Sequence, residues 1–182
     1  MTAAKTQKFR SPYAWLVILL SIVAVSPVLA REKQIIGWVE NVSITDHNII
    51  LSAKIDTGAK HSSLNAPDLN LFNKRGESWV KFSVAAADGK KVEFEERVVR
   101  MTKIKRKGYR SQVRPVIQMK VCLDDVIKNV EVNLVDRDNF IYPMLVGRSF
   151  LRGGFLVDVG AKHMTSPHCP QSPDSGAIAV PQ

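Results

Sequence analysis

From Ile35 to Asp158 the chain is written in short runs of alternating apolar and polar residues, and no long stretch repeats at a helical period. An alternation of two places every second side chain on one face, as a half-buried strand requires. Gly37 to Val42 reads this way, and Asn48 to Ile55 forms a second run. Trp79–Val84 and Val92–Phe94 flank Asp88-Gly89, a pairing that favours a tight hairpin because glycine accepts positive φ without penalty. Val113 to Val121 and Val130 to Val135 follow, joined across Asp124-Asp125, and only Phe150-Leu151-Arg152 suggests a single helical turn. Residues 66 to 77 read as a polar loop carrying Leu69, Leu71 and Phe72. Many short strands separated by turn signals predict an all-β domain, either a small barrel or a sandwich.

The two ends differ from this body. Lys5, Lys8 and Arg10 precede an almost wholly apolar run from Ala14 to Val25, then Ser26-Pro27 and Val28-Leu29-Ala30. Residues 1–30 therefore read as a secretory signal peptide or an uncleaved membrane anchor, which places the body in the periplasm or outside the cell. Without those three cations, 23 Lys and Arg face 17 Asp and Glu, and the net charge of +9 falls to +6. The excess is local, in Lys103, Lys105, Arg106, Lys107 and Arg110, with Arg97, Arg100 and Arg114 close in sequence. In an exported protein this run suits an acidic peptide or an anionic envelope surface rather than nucleic acid, or it is simply a solvated loop. Residues 165–182 hold four prolines and several serines, and predict a disordered tail after a domain spanning 31–164. Cys122 and Cys169 could close a bridge in an oxidising compartment.

The chemistry concentrates at Ala53-Lys54-Ile55-Asp56-Thr57-Gly58-Ala59, an Asp-Thr-Gly at the end of an apolar strand. A carboxylate at a tight turn can be held by the amide of the following glycine, and the threonine hydroxyl can reach backbone across a symmetric interface. Peptide hydrolysis by an activated water needs a second carboxylate nearby, so that the pair shares one proton and works as base and acid together. Asp158, in Val157-Asp158-Val159-Gly160-Ala161, echoes the motif, but too little sequence follows it for a second lobe. A second copy of the chain, bringing Asp56 against Asp56 across a two-fold axis, supplies the partner instead.

Some ninety residues after the motif comes Met144-Leu145-Val146-Gly147-Arg148-Ser149. An Asp-Thr-Gly followed at this distance by an apolar-apolar-Gly-Arg run resembles the half-site of a retroviral-type aspartic protease. The wider pattern resembles the retropepsin-like family often labelled putative ATP-dependent zinc protease. It includes Gly37-Trp38-Val39-Glu40, Ser63-Leu64 with Ala66, Arg114-Pro115-Val116-Ile117, Asn133-Leu134 with Arg137-Asp138, and Gly154 to Asp158. The resemblance implies a closed retropepsin-type barrel with one lobe per chain. It implies Asp56, Thr57 and Gly58 as catalytic residues, and Leu145, Val146, Gly147 and Arg148 as the segment threading beside them, with Arg148 in an ion pair. Where that family often carries Leu-His-Ala, this chain has Leu64-Asn65-Ala66.

A flap is then expected at the Asp88-Gly89 hairpin, with Ala59, Ala86, Ala87, Asp88 and Gly89 meeting an extended peptide. No His-Glu-X-X-His and no phosphate-cradling Gly-X-X-X-X-Gly-Lys loop is present, so neither metal nor cofactor is expected. His163, His168 and Cys169 lie on the proline-rich tail without fixed spacing, and His47 and His61 read as surface histidines, His61 near enough to the motif to tune its charge. The expected activity is an exported, homodimeric aspartic endopeptidase acting on a peptide or protein. The alternative is the same barrel gripping a peptide or an envelope partner without cutting it.

Overall fold

Among the described residues the chain forms eleven strands: β1 (Gln34–Ile44), β2 (Ile49–Ile55), β3 (Ser62–Asn65), β4 (Asn70–Lys74), β5 (Glu77–Ala85), β6 (Lys91–Arg97), β7 (Arg100–Arg106), β8 (Tyr109–Leu123), β9 (Val126–Val135), β10 (Met144–Val146) and β11 (Phe155–Lys162). A one-turn helix, α1 (Arg148–Leu151), stands where the single helical turn was expected. The computed structural model describes residues 32–106, 109–137 and 140–169; the expected signal or anchor at residues 1–30 lies outside them.

Six strands close on themselves in the order β1–β2–β10–β3–β9–β8, and the ring shuts where Ser43 and Ile44 of β1 pair with Cys122 and Val121 of β8. The expected closed all-β barrel is thus present. β1 holds the centre of this arrangement because it pairs with three strands: β2, β8 and, in parallel, β11. Its inward residues Ile36, Val42 and Ile44 meet Leu51, Ile117, Leu134, Met144 and Phe150 in one apolar core. Gly37 is fixed by close approach, since a Cβ there would lie 2.5 Å from the carbonyl oxygen of Ala161.

β4, β5 and β6 form a separate three-stranded sheet. Its inner side chains Val80, Phe82, Val84 and Phe94 join the barrel's core, with the Phe82 and Phe94 rings stacked at 4.9 Å. The expected polar loop at 66–77 therefore contains a strand. Its Phe72 pairs with Trp79 and its Leu71 with Val80, a cross-strand match that local polarity concealed.

The basic run is not a loop either. Lys103 and Lys105 lie on β7 and Arg110 and Arg114 on β8, two strands of one antiparallel hairpin.

The first residues of the stretch expected to be a disordered tail are part of the fold. Buried Glu40 accepts hydrogen bonds from the amides of Gly37 (2.6 Å), Met164 (3.0 Å) and Thr165 (3.2 Å). His168 then donates its amide to the carbonyl of Asp124, and Cys169 is bonded to Cys122 at the end of β8. Residues 165–169 thus strap back onto the barrel, and the remaining tail, 170–182, falls outside the described residues. The bridge spans 47 residues, and closing a loop of that length in the unfolded chain corresponds to about 2–4 kcal/mol. Reducing it, or replacing both cysteines by serine, is expected to lower the urea midpoint and to raise the slope as the freed unfolded chain expands, as read by chemical denaturation.

Candidate active site

Asp56 leaves the end of β2 and turns at once. Its backbone amide donates to Val146 on β10 (2.9 Å), and its Oδ1 accepts the amides of Gly58 (2.9 Å) and Ala59 (3.1 Å). The carboxylate is therefore oriented by its own turn. A side chain at Gly58 would place a Cβ 3.2 Å from that oxygen and crowd it.

The second motif locks the turn from below. β10 runs parallel to β2, with Leu145 opposite Lys54 and Val146 opposite Ile55. Gly147 passes so close to the chain at His61 that a Cβ would lie 2.7 Å from that carbonyl. Its amide donates to Ser62 Oγ at 3.2 Å. The amides of Arg148 and Ser149 donate to the carbonyls of Ala59 and Lys60. Arg148 was expected in an ion pair; instead its Nη1 donates to the carbonyls of Thr57 (2.8 Å) and Gly58 (2.7 Å). It straps the turn through the backbone, which explains why arginine, with several fixed donors, stands here. Thr57, Gly58 and Arg148 are exposed at this turn.

The expected flap is in the wrong place. Ala87 donates its amide to the carbonyl of Ile50, so the Asp88-Gly89 turn packs at the start of β2 among His47, Asn48 and Ile49. Asp56 lies six residues further along, roughly 20 Å at about 3.3 Å per residue. Ala86, Ala87, Asp88 and Gly89 are thereby separated from Asp56, whereas Ala59 stays beside it. The inserted sheet displaced the hairpin, and a turn signal alone carries no information about which end of a barrel it caps.

The hairpin that faces the residues just after the motif is β7–β8. A cleft of about 310 Å³ opens between it and the segment after Asp56, with Ala59, Lys60 and His61 on one side and Arg100, Thr102 and Ile104 on the other. Arg114, Asn133 and Arg137 also line it. The cleft is cationic. Arg100 grips Glu131 through Nε (3.2 Å) and Nη2 (2.5 Å), which holds the Glu131 carboxyl below its usual range. Arg114 donates to Asn133 Oδ1 at 2.9 Å and to Gln112 Oε1 at 2.8 Å. Asn133 in turn donates to the carbonyl of Ser62 at 2.7 Å, tying β9 to β3 under the site.

His61 is half-buried in the cleft wall, with Nδ1 3.4 Å from Glu131 Oε2. Burial lowers its pKa, opposed by Glu131 and helped by Arg100 and Lys60. Arg137 is 8% exposed, and burial lowers its pKa against the attraction of Asp56. Sequence reasoning placed Arg137 only within a run of family resemblance, and Arg114 both there and beside the basic run. Their shared cleft follows from register, which aligns Val116 on β8 with Asn133 on β9.

Asp158, the internal echo, repeats the local turn: its Oδ1 accepts the amide of Gly160 at 2.8 Å. It is exposed on β11, however, and β1 separates that strand from β2. Among the described residues no group of three or more His, Cys, Asp or Glu is gathered as a metal would require.

The chain resembles known proteins in three ways. Residues 35–168 match the model of a family described as RimB-like, retropepsin-like aspartic endopeptidase RimB. A protein of Shewanella pealeana named probable alpha-L-glutamate ligase is 32% identical over 111 residues, covering 59% of this chain and 24% of its own length. A Desulfotalea psychrophila protein of the same name is 32% identical over 130 residues, covering 69% and 28%. The chain thus spans about a quarter of the length of these curated relatives. A crystal structure of Lpg0085 from Legionella pneumophila, a protein of unknown function, superposes with a TM-score of 0.62 and 34% identity. That likeness covers 74% of this chain and all of the other. With the family model spanning the whole barrel and the Asp-Thr-Gly turn at its heart, the chain belongs to the RimB-like family of retropepsin-like proteins.

Proposed function

We propose that this chain is a homodimeric aspartic endopeptidase that cleaves acidic peptides. The observation that carries the reading is Asp56 itself: a carboxylate clamped by two amides, one of them that of Ala59 in the wall of a hairpin-walled cationic cleft. In the dimer one Asp56 takes a proton from water as the oxygen attacks the scissile carbonyl. The other, protonated, gives its proton to the carbonyl oxygen. Collapse of the tetrahedral species then breaks the C–N bond as the amine takes up a proton, and the pair returns to its shared-proton state.

A second copy has a surface to meet. Thr57 and Arg148 border an open hollow lined by Trp38, Leu156 and Val159, and Leu156 and Val159 are 51% and 82% exposed. β11 ends the sheet there, with one edge unpaired among the described residues. Exposed apolar groups beside an open strand edge favour association.

Two supports favour acidic substrates. Five cationic or ionisable basic side chains line the cleft, and the relatives are named for ligating glutamate. Of the cations near the basic run, Arg100 and Arg114 line the cleft and are assigned here to peptide recognition. Export is part of the same reading, supported by the apolar N-terminal run and by the Cys122–Cys169 bridge, which suits an oxidising compartment.

Dilution tests the dimer directly. Specific activity on a glutamate-rich peptide library is expected to fall on dilution through the dimer dissociation range measured by sedimentation. Undiminished activity from a monomer would sink the paired-carboxylate mechanism and leave a peptide-binding module as the better description.

A further inference from the structure

The cations of the cleft are not equivalent. Arg100 has Glu131, Arg114 has amide oxygens of Gln112 and Asn133, and Lys60 is exposed to water. Arg137 has none of these. It is buried, yet among the described residues no carboxylate lies within ion-pair distance of its guanidinium. Its Nη1 is 3.4 Å from Ser63 Oγ, its guanidinium carbon lies 4.3 Å from the Phe140 ring centroid, and its Nε finds no hydrogen-bond partner among the described residues. Removing a guanidinium from water without pairing it is strongly unfavourable. A fold retains such a residue where something outside the chain completes it, and departures of this kind concentrate at functional sites.

The position indicates what completes it. Arg137 faces the same cleft as Ala59 and His61, and the charge that acts on it is that of Asp56. Guanidinium groups bind carboxylates through paired, directed donors. A two-fold axis would also set an equivalent Arg137 on the other side of the bond being cut. Resting on the endopeptidase reading above, we propose that Arg137 is the specificity-determining residue that receives a carboxylate of the substrate, one on each side of the scissile bond.

The test uses binding, so that it does not depend on cleavage. The full chain carrying Asp56→Asn is titrated with three fluorescent octapeptides: glutamate on both sides of the centre, glutamate on one side with glutamine on the other, and glutamine throughout. About tenfold tighter binding is expected for each acidic side, the scale of one charge-assisted hydrogen bond. Adding Arg137→Gln should bring the three peptides within about twofold of each other. Arg137→Lys, which keeps the charge but loses the planar fork, should retain part of the discrimination. Thermal melting establishes that each variant is folded, and the lysine variant decides the matter if the glutamine one is not. Unchanged preference in a folded Arg137 variant would overturn the assignment, as would equal binding of the one-sided and two-sided peptides. If the wild-type chain cleaves nothing while the Arg137-dependent preference stands, the endopeptidase reading fails and the subsite survives.

Discussion

Asp56→Asn is expected to reduce peptide cleavage by about 10⁴-fold or more, the scale of lost general acid–base catalysis, while leaving the melting temperature almost unchanged. The two halves of this expectation have separate origins. The turn is held by amides donating to Oδ1, and an asparagine carbonyl oxygen can accept the same two bonds. What asparagine cannot do is carry the exchangeable proton, so the pair loses both its base and its acid. Mixing sharpens the result. Wild-type chain exchanged with an excess of the variant should lose activity roughly as the square of its own fraction, since heterodimers hold one working carboxylate. A linear fall would show that each chain acts alone. Full activity in the variant would remove Asp56 from the mechanism.

The largest effect on stability is expected from Glu40→Ala, at about 3–5 kcal/mol. Glu40 is wholly buried, and its carboxylate takes amides from Gly37, Met164 and Thr165. Alanine would leave the buried Gly37 amide and the part-buried amides of Met164 and Thr165 without this acceptor, and a fully buried loss costs about 1–3 kcal/mol. The damage should be local at first. β11 sits against β1 through the same region, so amide exchange should accelerate from Phe155 to Thr165 before the β8–β9 pair responds. Glu40→Gln should recover part of the loss because one oxygen remains. A melting temperature unchanged in Glu40→Ala would show that the strap is held elsewhere.

How much of this was readable in the chain depends on whether a signal was local. The strands read from alternation, β1, β2, β5, β6, β8 and β9, were found nearly where they were expected, because one face of each meets the core. The Asp56 turn and the Gly147–Arg148 segment were also legible, since their spacing encodes two backbones that must touch. β4 was hidden because its residues face outward, and only pairing with β5 gives them a role. The flap was misplaced for a related reason. Asp88-Gly89 reports a tight turn correctly, yet whether that turn caps Asp56 is decided by an inserted sheet. Lys103 to Arg114 looked like a solvated charge run, and only the antiparallel register of β7 and β8 turns its base toward the cleft. Arg137 was marked only by its place in a run of family resemblance, which gave it no role. Its isolation is a property of burial, which a sequence does not display.

The displaced Asp88-Gly89 turn has a practical use. It is exposed, Gly89 takes a positive φ of 82° with open space around it, and the turn projects at the end of β2 remote from Asp56. A short peptide tag or a fluorophore attached there would report on the chain's whereabouts and self-association without entering the cleft, giving an engineering handle that the same turn, as a flap, would have denied.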